Sequence, residues 1–233
     1  NHERLNGHLS DGTQHAKTAR FVVGTSTSGW TEKDCDYLCD GTADQVEINN
    51  AIAALPASGG EVVILDGTYN ITARINVNKD NVSIRGSGNA TILKRMWNSF
   101  SSPEGVIGLA LVEGCRVENL QIDGNKTTYT SSYNCGIHLY SSTNNTITGN
   151  TCKNNNHGIY LSTCSNNTIT GNTCNDNNEH AIQLYLSSGH TVTGNTCNNN
   201  GNGIRLYASN NNTITGNTCI RGTGTPGDYT ADQ

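Results

Sequence analysis

The chain has 233 residues, a formal net charge of −5 and only 14% charged residues, alongside 26 glycines and nine cysteines. With no basic stripe, this balance speaks against a nucleic-acid partner. No apolar run approaches the length of a membrane span. The length suits a single solenoid domain.

Residues 1–19 are polar and aperiodic and read as an extended arm. Residues 20–60 carry a short strand at 21–24, a loop at 30–40 and a helix from Asp44 to about Leu55. Asp44 or Thr42 suits its N-cap, and Val46, Ile48, Ala51, Ile52 and Leu55 give it an apolar face. Pro56 and the pair Gly59-Gly60 end it. From residue 61 short alternating apolar segments follow: Ile75 and Val77, Val82 and Ile84, Ile92 and Leu93, then 106–111 and 117–122. The stretches 96–104 and 123–134 lack that alternation and read as projecting loops.

From Gly136 to Cys219 one unit recurs four times. Gly136-Ile137-His138-Leu139-Tyr140 returns starting at Gly158, Ala181 and Gly203, in steps of 22, 23 and 22 residues. A second block, Thr146 to Cys152, returns ending at Cys174, Cys197 and Cys219. A fixed period of this size marks a repeat architecture. The alternation is strand-like, and no helical pattern fits within the unit. One unit cannot bury a core alone, but stacked units bury Ile on Ile, Leu on Leu and Cys on Cys. The expected fold is all-β, a single-stranded parallel β-helix over 61–219 whose open N-terminal edge the helix covers. The corner Gly149-Asn150 is expected to turn through left-handed backbone angles. The tail at 220–233 contains no capping helix, so the C-terminal end reads as uncovered, and the chain, starting at Asn1, as an excised or processed piece.

The repeat Asn-Asn-Thr-Ile-Thr-Gly-Asn-Thr-Cys resembles the right-handed β-helix repeats of the pectin-lyase-like superfamily, over roughly residues 40–220. It is most similar to the carbohydrate-binding and sugar-hydrolase group, which includes periplasmic copper-maturation proteins. The segment 7–15 resembles joining pieces of phage and prophage tail fibres. These likenesses imply a right-handed solenoid, an extracellular or virion-associated setting and a glycan partner. The superfamily spans lyases, hydrolases, epimerases and binding modules, so fold alone does not select among them.

Chemistry-bearing residues are sparse. Between Gly136 and Cys219 the charged residues are Lys153, Asp176, Glu179 and Arg205, too few oxygens for a calcium-assisted lyase. A hydrolase needs two carboxylates within roughly 5–10 Å, and nothing pairs Asp66, Glu104, Glu113, Glu118 or Asp123. Asp176 and Glu179 read as part of a solvated loop. The four repeat cysteines read as a buried column of small hydrophobes, and Cys35 and Cys39 as too isolated for a zinc site. His157 and His180 align one rung apart beside Cys135; stacked imidazoles can bind a transition metal, but exposed loop histidines are the plainer expectation, and no metal or cofactor is expected. The most informative surface is a pair of outward columns: His138, Tyr160, Gln183 and Arg205, then Tyr140, Ser162, Tyr185 and Tyr207. Aromatic rings beside Arg, Gln and His suit a sugar chain, and equally a subunit interface. Two functions remain open: a non-catalytic, trimeric tail-appendage module that binds or presents to surface polysaccharide, with His138, Tyr140, Tyr160, Gln183, Tyr185, Arg205 and Tyr207 as its ligand-binding set, or a secreted polysaccharide lyase or glycoside hydrolase.

Overall fold

The computed structural model describes residues 19–220. The arm, its joining segment at 7–15 and the tail lie outside the described residues, apart from Ala19 and Ile220. Along the chain run β1 (Ala19–Thr25), β2 (Tyr37–Cys39), α1 (Gln45–Ala54), β3 (Gly60–Ile64), β4 (Gly67–Ile71), β5 (Ile75–Val77), β6 (Val82–Arg95), β7 (Glu104–Ala110) and β8 (Arg116–Asp123). The regular rungs supply β9 (Asn134–Tyr140), β10 (Thr146–Thr148), β11 (Thr151–Lys153), β12 (His157–Ser162), β13 (Thr168–Thr170), β14 (His180–Tyr185), β15 (Thr191–Thr193), β16 (Asn202–Tyr207) and β17 (Thr213–Thr215).

The strands form two parallel sheets, the faces of a right-handed β-helix. One runs β17-β15-β13-β10-β8-β6-β3-β1-β2; the other runs β16-β14-β12-β9-β7-β5. In the second sheet Ile137, Ile159, Ile182 and Ile204 are in register, as are Leu139, Leu161, Leu184 and Leu206. The first three of each column are fully buried, at about 1.5–3 kcal/mol per side chain. Cys152, Cys174 and Cys197 form an interior column, Cys219 is exposed at its end, and all nine thiols are free.

The corners differ from the sequence expectation. Gly149, Gly171, Gly194 and Gly216 do take left-handed angles, with φ between 62° and 65°. The asparagine after each glycine does not; it turns into the core instead. Asn150 Oδ1 accepts from the Leu120 backbone N–H, and Asn150 Nδ2 donates to Val117 O and to Asn172 Oδ1. Asn172 repeats this toward Ile147 O and Asn195 Oδ1, and Asn195 toward Asn217. Parallel ladders run through Asn155, Asn177 and Asn200 and through Asn145 and Asn167. Each amide saturates buried backbone groups that the corner would otherwise strand. The third ladder is interrupted by His190, whose Nδ1 accepts from the Asn167 N–H at 2.9 Å.

The N-terminal region also corrects several expectations. The helix packs its Ile48, Ala51 and Ile52 against the first rungs and caps them, but Val46 faces out. Asp44 is its N-cap position, yet its carboxylate accepts from the N–H groups of Gly41 and Asn70 rather than from the helix. The loop at 30–40 contains a strand, β2, paired with β1, and Cys39 is buried there. The segments at 82–86 and 92–93 belong to one strand, β6, with register shifts beside Gly88. The projecting loops at 96–103 and 124–133 are pinned by Arg95. This fully buried guanidinium donates to Glu104 O, Cys135 O and Asn134 Oδ1 and lies 3.9 Å from the Trp97 ring.

Candidate functional site

The site lies on the outer face of the second sheet. Alternation sends His138 and Tyr140 outward between the inward Ile137 and Leu139. The register then stacks His138, Tyr160, Gln183 and Arg205 in one column and Tyr140, Ser162, Tyr185 and Tyr207 in the next. Strict alternation fails once per rung. A Cβ at Gly158 would sit 3.2 Å from Cys174 Cβ, so this position faces the core together with the following Ile159. Only a small residue fits there, hence Gly136, Gly158, Ala181 and Gly203. The step brings His157 round to the same side as Tyr160, their rings 5.4 Å apart. The rings of His157 and His180 are 5.1 Å apart, and those of His138 and Tyr160 5.2 Å.

The two columns differ in openness. Tyr185 and Tyr207 stack at 5.0 Å with 8° between planes, and Tyr140 and Tyr207 are each 49% exposed. His138, Tyr160 and Gln183 point outward but are buried among their neighbours, so of the seven residues expected to meet a ligand these three are closed over. Arg205 bridges the two zones: its guanidinium is 5.9 Å from the Tyr207 ring, and its Nη1 donates to His180 Nε2 at 2.9 Å.

His157 and His180 are not exposed loop histidines. They are strand residues, 6% and 3% exposed, because the glycine step folds them under the sheet's outer layer. Burial keeps imidazoles neutral: His138 and His157 are held down at about 4 and His180 at about 3, with Glu179 partly opposing the effect at His157. Burial pushes the Tyr160 hydroxyl up to about 12. Nor is Glu179 only a solvated loop residue. Its Oε2 lies 3.6 Å from His157 Nε2 and 3.9 Å from His180 Nε2. Asp176 instead accepts from Asn199. The register carries the signal that the solvated-loop reading overlooks, since Glu179 immediately precedes a histidine aligned with His157.

The carboxylates on the earlier rungs are dispersed. Glu118 faces Arg116, Asp123 accepts from Asn125 and Asn154, and Glu104 accepts from Ser99. Among the described residues no helix is long and apolar enough to cross a membrane.

Fold and face together define a pectin-lyase-like parallel β-helix protein with an aromatic outer surface. Solved structures agree on the fold. The ORF18 protein of Geobacillus virus E2 superposes with a TM-score of 0.64 at 22% identity, over 84% of this chain and 42% of that one. A putative glycosyl hydrolase from Parabacteroides merdae gives 0.65 at 18% identity, over 76% and 89%. The catalytic domain of a GH87 α-1,3-glucanase, in complex with nigerose, gives 0.57 at 18%, over 73% and 31%. The chain thus spans less than half of the viral protein and of the glucanase domain. No curated protein matches by sequence. The sequence profile of the family described as periplasmic copper-binding protein (NosD) matches residues 48–230, and the chain belongs to that family.

Proposed function

We propose that this chain is a non-catalytic β-helix module that holds a polysaccharide or cell-surface glycan along the column Tyr140, Ser162, Tyr185 and Tyr207, outside the cytoplasm, within a phage or prophage tail appendage or a comparable surface assembly. One observation carries the reading: the parallel rings of Tyr185, partly exposed, and Tyr207, half-exposed, continue the line begun by Tyr140, with Arg205 beside them. Ser162 leaves a notch between Tyr140 and Tyr185. Flat rings in line present apolar platforms to sugar faces, and the guanidinium supplies hydroxyl or carboxylate contacts. The dispersal of Glu104, Glu118 and Asp123 favours binding over hydrolysis, and the glycosyl hydrolase and viral protein among the structural neighbours are consistent with a glycan setting.

Affinity electrophoresis through gels containing α-1,3-glucan, alginate or polygalacturonate tests it. Retardation by at least one polysaccharide, lost in Tyr185→Ala and Tyr207→Ala, is the expected result; release of reducing ends by the intact chain would instead establish the enzymatic alternative. Light scattering decides whether the tyrosine column is free. A homotrimer that dissociates on Tyr207→Ala would make it a subunit contact.

The family description also names copper. Donor atoms converge at two places among the described residues. At Cys39, Asp44 and Glu47 the Asp44 carboxylate is already engaged by backbone N–H groups, so that set does not fit. At His157, Glu179 and His180 it does: imidazole nitrogens and a carboxylate suit a divalent late transition metal. A bound ion there would supply a fixed positive charge beside the tyrosine column.

A further inference from the structure

The His157, Glu179 and His180 cluster carries more than a match of donor types. His157 and His180 are paired across β12 and β14, so one ligand comes from each of two successive rungs and Glu179 from the turn leading into the second. The three ligand atoms lie within 4.8 Å of one another. Their protonation pattern follows from their partners. Asn156 Nδ2 donates to Ser132 O at 2.6 Å, which fixes the amide's orientation, and the same nitrogen lies 3.2 Å from His157 Nε2. Arg205 Nη1 lies 2.9 Å from His180 Nε2, and a guanidinium can only donate. Both Nε2 atoms therefore present lone pairs, and both face a carboxylate oxygen. Three acceptor atoms this close together suit a cation, and Arg205 is the cation beside them in this structure.

We infer that His157 Nε2, His180 Nε2 and Glu179 Oε2 form a binding site for a divalent late transition metal, Cu(II) or Zn(II), and that Arg205 is its internal competitor, moving off His180 toward the Tyr207 ring when the ion enters. Ligands about 2.0–2.1 Å from a tetrahedral ion stand roughly 3.3 Å apart. The observed 3.6 and 3.9 Å separations are a few tenths away, within reach of a rotation of the Glu179 side chain, which is 48% exposed. Cys135 is the register neighbour of His157 but is fully buried, and the Cys152, Cys174 and Cys197 column, whose thiols would favour Cu(I), is interior. The site goes beyond the family description, which assigns no residue, oxidation state or gate, and it is independent of the glycan reading.

The test is equilibrium dialysis of the full chain against Cu(II) and, separately, Zn(II), each buffered by glycine, with electron paramagnetic resonance of the Cu(II)-loaded protein. One ion per chain is expected, with hyperfine splitting from two imidazole nitrogens. Glu179→Gln should weaken binding about tenfold or more. Arg205→Met should tighten it about tenfold, the sign expected when a positive charge leaves a site for a dication. Both substitutions are at partly exposed positions, so they test the site even where His157→Gln with His180→Gln perturbs the fold. Absence of binding, or binding that survives His157→Gln with His180→Gln because His2, His8 and His15 of the arm hold the ion, overturns the site. Equal or weaker binding by Arg205→Met overturns the gate.

Discussion

Replacing His190 by asparagine puts back the residue type found at this corner on the rungs before and after it, and the outcome can be worked out in advance. In the wild-type chain Asn167 N–H donates to His190 Nδ1, and His190 N–H donates to Asn212 Oδ1. His190 Nε2 is buried without a partner, in a side chain 1% exposed. Asparagine would accept from Asn167 through Oδ1 and, by analogy with Asn145 and Asn167, donate through Nδ2 to the rung below and to Asn212. Two recovered hydrogen bonds are worth about 1 kcal/mol each. The smaller apolar burial of the amide takes back roughly half of that, leaving a net gain near 1 kcal/mol at pH 7.5. Acid widens the gap. Burial holds the His190 imidazole below its ordinary range, so between the folded and unfolded titrations the unfolded chain binds more protons and stability falls as pH falls. A free imidazole titrating near 6.5 favours the unfolded chain by up to about 2 kcal/mol at pH 5 and almost nothing at pH 7.5. His138, His157 and His180 are common to both chains and cancel in the comparison. Urea midpoints at the two pH values read the difference directly, without assuming that a solenoid unfolds in one step. The variant should be more stable at pH 7.5 and more so at pH 5. A lead that does not grow on acidification, or a variant less stable at both, would refute the view of His190 as a neutral, half-satisfied insertion in the ladder.

Asn172→Ala strands the Asn150 N–H, Ile147 O and Asn195 Oδ1 groups now joined to its amide. The cost should be about 3 kcal/mol in thermal or urea melts, and a loss below 1 kcal/mol would contradict the ladder. Leu186 holds φ at +50° while half exposed; Leu186→Asn relieves about 1 kcal/mol of left-handed strain and should raise the melting temperature by about 2–4 °C. Arg95→Met removes three donated bonds beneath the projecting loops. Hydrogen exchange should quicken at 96–103 and 124–133 while the regular rungs keep their protection. Tyr207→Ala, at a half-exposed position, should leave the melting temperature within a degree or two and show its effect in polysaccharide retardation.

The parts of this molecule that were legible from sequence are those fixed by counting. A rung of nearly constant length forces residue on residue, so the Ile, Leu, Cys and Tyr columns and the pairing of His157 with His180 follow from the period alone. What the period does not encode is which way a polar residue points when the chain turns. Asn150 reads as a turn residue, because asparagine tolerates left-handed angles; Gly149 already provides that angle, which frees the Asn150 amide to face inward and serve the backbone of the rungs on either side. The same blindness affected the site. Alternation assigned His138, Tyr160 and Gln183 to an outward column, and outward was read as open. The two consecutive inward positions at Gly158 and Ile159 bring a second file of imidazoles against that column and close it, a consequence of packing between neighbouring strands that no single strand's pattern contains. Glu179 was misread for a related reason: judged within its own loop it faces water and Asp176, whereas its partners lie on β12 and β14. In a solenoid the chemistry of a side chain is set by residues one rung away, about 22 positions along the chain, so a reading confined to local windows finds the columns and misses the contacts between them.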